Sequence, residues 1–481
     1  MGISHALNNA LSGLTASSQR AEVISSNLAN IMTDGYARRE LELSSKQVGD
    51  RGGGVEIGDV LRIVDRGVLA DRRLADANLA GNETGTRYLA RVEGLIGTEG
   101  DPNNLVARLS RFEQSLIQAS ADPASLLRLE NSMHELSGLV DMLNVASDGI
   151  QELRLDADRE IAGHVSDLNR SLLHVEQLNA DISKSLAMGY DASALIDKRQ
   201  TTIDNISTIV PVRELDRGNG TVALMTPTGA MLIDGSAKQF GFDPVNFVSA
   251  ESSIAAGGLS GITLDGNSID ISDGIGKLSG GSLGAAFEAR DKTLVEAQRG
   301  LDQFARDLIE RFQDPAFDPT LAPGMPGLLT DGSAVFDPLN ETGLASRLRI
   351  NALADPDQGG QVTALRDGIG ATATREVGDS TQINLWLSAL SERRAASGAP
   401  DDTAVGHAAR LISTTAQARI QGEDELAFAQ ARQDTLRHAE LSNGVDSDQE
   451  LQTLLLVEQS YAANAKVIET IDALMRRLME I

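Results

Sequence analysis

ISHALNNALSGLTASSQRAEVISSNLANIMTDGYAR, residues 3–38, puts Ile3, Leu7, Ala10, Leu14, Ser17, Ala21, Ile24, Leu28 and Ile31 on an unbroken 4-3-4-3 spacing. That spacing predicts a helix with a narrow apolar seam, the pattern of a coiled-coil partner. Ala10 and Ala21 keep the seam thin, so a partner can approach closely. The helix is expected to stop in the polar turn Asn30–Tyr36, where Gly35 supplies a left-handed C-cap. The other end of the chain repeats the pattern. Leu454, Val457, Tyr461, Asn464, Ile468, Ile471, Met475 and Leu478 fall on the same spacing, with Ser447 and Glu450 as a capping box at the start. A narrow seam cannot bury itself, so the two terminal helices are read as partners. The alternative is two ordinary helices in separate cores. Asn464 occupies a seam slot, where a polar side chain fixes register at a cost in stability; otherwise the seam rotates past it and Ala465 faces inward.

Composition narrows the rest. With 481 residues the chain can hold two to four domains, and its net charge of −27 excludes nucleic acid and anionic membranes as partners. No cysteine is present, so disulfides and thiolate metal sites are excluded. Aromatics make up 3% of the residues, which predicts thin helical layers built from Leu, Ile and Ala. No stretch approaches the ~18 apolar residues of a membrane span. The first nineteen residues lack Lys and Arg, so no basic n-region of a secretory signal is expected.

Along the chain, residues 39–65 read as short extended segments around Gly52-Gly-Gly54. Helical patterning returns at Asp71. Leu126 opens a heptad-like run that ends near Gly189, with a bend expected at Gly149 or Gly163, and a further helix ends before Pro211. Asn219-Gly220, Thr228-Gly229 and Asp265-Gly-Asn267 then mark hairpins in series, with Ser268–Ile271 as the last strand. Five of the twelve prolines crowd into Pro315–Pro338, which predicts an irregular excursion over 314–403, and Ala395–Thr403 reads as a loop. The expected fold is mainly α with an inserted β domain in a nested topology. Residues 1–60 with 442–481 form a terminal coiled-coil domain. Residues 61–210 with 281–441 form a helical middle domain, and 211–280 form a small antiparallel β insert.

Several stretches imitate chemistry. Gly280-Gly-Ser282-Leu-Gly284 fits the nucleophile-elbow pattern, and His407 or His438 could complete a triad. Both histidines lie in Ala-rich helical tracts, and no βαβ alternation builds the sheet that an elbow crowns. Ser282 is therefore read as a helix cap. Asp265-Gly-Asn267 starts like a calcium loop but lacks its later ligands. His134-Glu135 lacks the second histidine of a zinc site. Asp197-Lys198-Arg199 reads as a solvated or bridging helix face. No catalytic residue, cofactor or metal is expected.

Ala10-Leu-Ser-Gly-Leu14, Ile24-Ser-Ser-Asn27-Leu-Ala-Asn30 and Thr33-Asp-Gly35-Tyr36-Ala-Arg38 resemble the N-terminal signature of the flagellar axial proteins: rod, hook and hook-associated. Ser442-Asn-Gly-Val445 and Tyr461–Ile468 resemble the matching C-terminal signature. Gly52–Ile63, Leu195–Arg199 and Gly280–Gly284 leading to Glu288–Asp291 are similar to the hook-associated member at the hook–filament junction. The resemblance covers 1–313 and 405–481 and is thin between Asp314 and Thr403. It implies a structural adaptor, exported through the flagellum's own channel without a cleaved signal and located outside the cell. Its implied partners are further copies of itself, hook protein, the next hook-associated protein on the filament side and an export chaperone, with no nucleic acid and no membrane. The assembly seam would comprise the two spaced sets above, with Asn27, Asn30, Gly35 and Tyr36 as family motif. A hook or distal-rod protein is the runner-up, and an exported serine hydrolase the remote alternative.

Overall fold

A computed structural model of the chain describes residues 2–48, 51–269, 276–395 and 400–479. Helix α1 (Gly2–Ala29) leads into a hairpin of β1 (Arg39–Val48) and β2 (Arg51–Arg62). Helices α2 (Arg66–Ile96), α3 (Leu105–Ala121), α4 (Leu126–Ala187) and α5 (Ser193–Ile209) follow. Strands β3 (Arg213–Gly218), β4 (Thr221–Met225), β5 (Met231–Asp234) and β6 (Ser236–Ala237) form one antiparallel sheet in sequence order. Strands β7 (Phe240–Gly241), β8 (Thr263–Leu264) and β9 (Asn267–Ser268) form another. Helices α6 (Gly281–Glu288) and α7 (Leu294–Gln313) are joined by a π-helical turn at Ala289–Thr293. Strand β10 (Leu329–Asp331), helix α8 (Leu344–Arg347), strand β11 (Leu348–Ile350) and helices α9 (Ala364–Asp367) and α10 (Thr381–Ser391) come next. Two long helices close the chain, α11 (Ala404–Leu441) and α12 (Ser447–Met479). The fold is mainly α with small antiparallel sheets.

The chain divides into two compact units. The first holds 1–79, 166–239 and 429–481; the second holds 80–165 and 240–428. The division falls inside α2, α4 and α11. It also splits the stretch 211–280, since β3–β6 belong to the first unit and β7–β9 to the second.

The hairpin turns follow from their residues. Asn219 and Gly220 both have positive φ, as do Asp265 and Gly266. Each pair joins neighbouring strands through a two-residue loop, the geometry a type I′ turn requires. The last strand is described only as Asn267–Ser268, and the expected continuation through Ile271 lies outside the described residues. So does the middle of the Ala395–Thr403 loop.

Helix α4 is continuous over 62 residues, and neither glycine interrupts it. Gly149 has another use: a Cβ there would come within 2.7 Å of the Leu95 side chain, so the missing side chain lets α2 pack close. In the second unit, Asp158 on α4 and Arg290 on the π-helical turn form a fully buried ion pair of 2.6 Å. Arg290 also lies over the rings of Phe242 and Phe287 and donates to the Ser260 carbonyl. The remaining Asp158 oxygen accepts the Val245 N–H. This charge cluster fastens 242–260 to the helices.

The described part of 314–403 contributes to the core. Leu328, Leu329, Leu344, Leu348, Leu365, Ile383 and Trp386 are buried together with Leu109, Phe112, Leu308 and Phe312. The rings of Phe112, Phe312 and Trp386 pack in series, edge-on and tilted, at centroid distances of 6.2 and 5.5 Å. The expectation of thin, aromatic-poor layers fails here, because the few aromatics are concentrated at one place.

Asp302 on α7 accepts the Gly343 N–H at 2.8 Å, the Ala345 N–H at 2.9 Å and the Gln298 amide at 2.9 Å. Burial nevertheless outweighs these donors and pushes its carboxyl up to about 6. The folded protein therefore binds this proton more tightly than the unfolded chain, whose Asp titrates at ~3.9. The resulting stability is fully present below the unfolded value and is lost as pH rises through about 6. Thermal melts of the Asp302→Asn variant should lose that decline between pH 4 and 6. An unchanged profile would show that the carboxyl titrates normally.

Candidate functional site at the paired chain ends

Within the first unit, α1 and α12 pack along each other. Asn27 meets Glu450 while Gly13 meets Asn464, so the two helices run antiparallel. On α1 the seam residues Ala10, Ser17 and Ile24 are buried, and Ile3, Leu7, Leu14, Ala21 and Leu28 are half-buried. Ile31 lies past the helix end and is exposed. On α12, Val457 and Ile471 are buried, and Leu454, Asn464 and Ile468 are half-buried. Tyr461 and Met475 are exposed, and the side chain of Leu478 lies outside the described residues. The two seams thus meet within one chain. Asn464 faces a glycine, since a Cβ on Gly13 would lie 2.8 Å from its Nδ2. Nothing in the seam spacing flagged Gly13.

A second line of apolar residues on α12 stays open. Leu456, Val467 and Leu474 are exposed, and steps of 11 and 7 residues return to nearly the same face.

Asn27 is the hub of the paired ends. It is fully buried, and its amide saturates four partners. Nδ2 donates to the Arg39 carbonyl (2.9 Å) and to Glu450 Oε1 (3.1 Å); Oδ1 accepts the Arg39 N–H (3.0 Å) and the Tyr36 hydroxyl (2.9 Å). One side chain therefore pairs with both backbone groups of a strand residue, as a neighbouring strand would. Asn179 does the same for Val222 in the small sheet. Asn30 donates to the Ser26 carbonyl and accepts from Thr33 Oγ1, which shapes the turn after α1. Gly35 has φ +77, and a Cβ there would strike Thr201 Oγ1 at 2.2 Å. Only glycine fits that place.

Glu450 corrects one expectation. The N–H groups of Asp448 and Gln449 are capped by Asp446 Oδ1 rather than by Ser447, which leaves the Glu450 carboxylate free to reach Asn27. Asp197 carries the other anchor. Its carboxylate takes Arg39 at 2.8 Å and Arg62 at 2.6 Å, which ties the hairpin to α5. Arg199, two residues on, is buried rather than on a solvated face. Asn27→Ala would leave two backbone groups and the Glu450 carboxylate without their amide partner, at ~2 kcal/mol. Hydrogen exchange should then report faster opening of α1 and α12. Unchanged protection would remove Asn27 as the hub.

The enzyme-like stretches do not assemble into a site. Ser282 does not cap α6: the N-cap is Gly280, with φ +99 and no side-chain hydrogen bond. The neighbouring glycines serve packing, since a Cβ on Gly81 of α2 would come to 3.2 Å from the Gly281 carbonyl. His407 Nε2 donates to the Arg394 carbonyl, and His438 sits exposed near the end of α11. Asp265-Gly266 is a hairpin turn. Among the described residues no cluster of His, Asp and Glu could hold a metal ion, and no helix is long and apolar enough to cross a membrane. Ser282→Ala should leave swimming and thermal stability unchanged within ~1 kcal/mol. Loss of motility with normal folding would reopen the hydrolase reading.

Residues 89–315 match the family model described as flagellar hook-associated protein FlgK helical domain. Residues 7–36 match that of the flagella basal body rod protein, and 440–481 that of the flagellar basal body rod FlgEFG protein C-terminal. Over 560 aligned residues, covering all of both chains, it is 23% identical to flagellar hook-associated protein 1 of Escherichia coli (strain K12). The chain is thus similar to hook-associated protein 1 along its whole length. It is 24% identical to the Salmonella typhimurium relative over 64% of this chain and 56% of that protein. With the Bacillus subtilis relative it shares 25% identity over 47% of each. The solved hook junction protein FlgK from Burkholderia pseudomallei aligns with TM-score 0.44 at 18% identity, over 56% of this chain and 47% of that one. Asn27 and Glu450 belong to the two matched end segments. The two matched end segments thus meet at the hub.

Proposed function

We propose that the chain is the structural adaptor that joins hook to filament in the bacterial flagellum, acting by assembly and without catalysis. The observation that carries this reading is the Asn27–Glu450 hub, which makes one building block of two ends 423 positions apart. The α1–α12 seam holds that block together, and the second line through Leu456, Val467 and Leu474 contacts neighbouring copies. Hook protein lies on one side and the next hook-associated protein on the other. An export chaperone accompanies the chain before secretion without a cleaved signal, and the assembled protein is extracellular. In the nested division, 1–60 with 442–481 supply the α1–α12 block and its second line of contact.

Electron micrographs of flagella from a strain lacking the protein test the reading. Hooks without filaments are expected. Intact filaments would overturn it, and absent hooks would favour the rod or hook alternative.

A further inference from the structure

The first unit contains a cavity of about 1110 Å³ lined by both arginines and carboxylates. Arg199, only 6% exposed, lines it from α5. Its Nη1 donates to Asn179 Oδ1 and to the Gly220 carbonyl. Nε and Nη2 have no hydrogen-bond partner among the described residues, and no carboxylate lies within ion-pair distance of the group. Arg154 in the other unit is buried as deeply, also without a carboxylate, yet all three of its nitrogens donate to oxygens. Arg73 lines the same cavity; Nε and Nη1 are paired with Asp204 and Glu214, while Nη2 is buried and unpaired. Three acids on the walls are already engaged, Asp191 by Ser193, Asp216 by Arg66 and Glu214 by Arg73, while Glu22 and Asp59 also line the cavity and are exposed. Arg73 Nη2, a buried donor without a partner, costs free energy until an acceptor arrives. Leu61, Leu186 and Tyr190 also line the cavity and are exposed.

The chain presents a feature that fits. The turn after α1 is fixed at its frame: Thr33 N–H donates to the Asn30 carbonyl, Tyr36 N–H to the Thr33 carbonyl, and Gly35 abuts Thr201. Between those fixed points, Met32 is 92% exposed and Ile31 and Asp34 are exposed as well. Asp34 has no hydrogen bond or ion pair among the described residues. An ordered turn that offers an apolar side chain beside a free carboxylate is preorganised for a hole with an apolar lining and a spare guanidinium.

We propose that the 31–34 turn of a second copy enters this cavity, with Asp34 meeting Arg199 and Met32 packing against Leu61, Leu186 and Tyr190. The inference rests on the reading of the chain as a multi-copy axial component. A knob on one face and a hole on another make a heterologous contact, which propagates around a ring or along a helix.

Because the chain has no cysteine, paired cysteines report this contact directly. Flagella whose sole copy of the protein carries Met32→Cys and Tyr190→Cys, mildly oxidised, should give a ladder of dimers, trimers and larger species on a non-reducing gel. Either cysteine alone should not give the ladder. Monomer alone from flagella that bear filaments overturns the contact while leaving the adaptor reading intact. The charge is tested separately, whatever the cross-linking gives. Asp34→Lys should lower filament number at least about tenfold, whereas Asp34→Glu should keep it. Equal filament numbers in both overturn the proposal. Filaments in a strain lacking the protein altogether would instead remove the reading it rests on.

Discussion

Trp386→Ala should cost the second unit about 3–5 kcal/mol, the range for deleting a fully buried large aromatic. The indole is completely buried, lies 5.5 Å from the Phe312 ring and donates its N–H to the Leu365 carbonyl at 3.1 Å. Truncation removes the ring contacts, opens a cavity and strands a buried carbonyl together. The damage should extend beyond α10, because α10 packs on both α3 and α7. Calorimetry of the purified full chain should show one transition moved to lower temperature. Hydrogen exchange should then locate the loss in 105–121, 294–313 and 381–391, with α1 and α12 unaffected. A shift below about 1 kcal/mol would mean that 314–403 is a covering layer and not core.

That region is also the part of the fold least legible in the sequence. The helices were legible because their apolar residues recur on one face, and the β turns because Asn219-Gly220 and Asp265-Gly266 tolerate positive φ. Residues 314–403 carry no period. Their buried residues come in short runs, 327–330, 343–345 and 365–369, between Asx turns at Asp318, Asp337 and Asp355, so only the packed partner helices reveal them as core. The hub escaped for a different reason. Asn27 and Glu450 are polar, and a polar pair that joins two chain ends leaves no periodic trace. The motif resemblance pointed at Asn27, Asn30, Gly35 and Tyr36 without saying what they do. The geometry supplies the reason: amide pairing of Arg39, turn closure, backbone clearance at Thr201, and a hydroxyl for Asn27. Glu450 fits one half of a capping box in the sequence, and its role lies elsewhere.

The seams should now separate folding from assembly. Ile24 was read from the spacing as an assembly residue, but it is already buried inside the single chain at 3% exposure. A carboxylate there is desolvated as soon as the chain folds, at several kcal/mol. Ile24→Asp should therefore free α1 and α12 in the purified monomer, detected as rapid cleavage of both ends by protease. Leu456 and Leu474 are different. Both face solvent on the isolated chain, so Leu456→Asp with Leu474→Asp should leave the monomer's melting temperature and protease pattern unchanged. Their penalty arises only when a neighbouring copy covers them, and two such carboxylates are enough to abolish the contact. Cells carrying the double variant should export the protein normally yet secrete filament subunits instead of polymerising them. Immunoblots of export fractions beside micrographs of hook tips distinguish failed export from failed assembly. Normal filaments on the double variant would mean that the second line of α12 contacts nothing, and that neighbouring copies meet elsewhere.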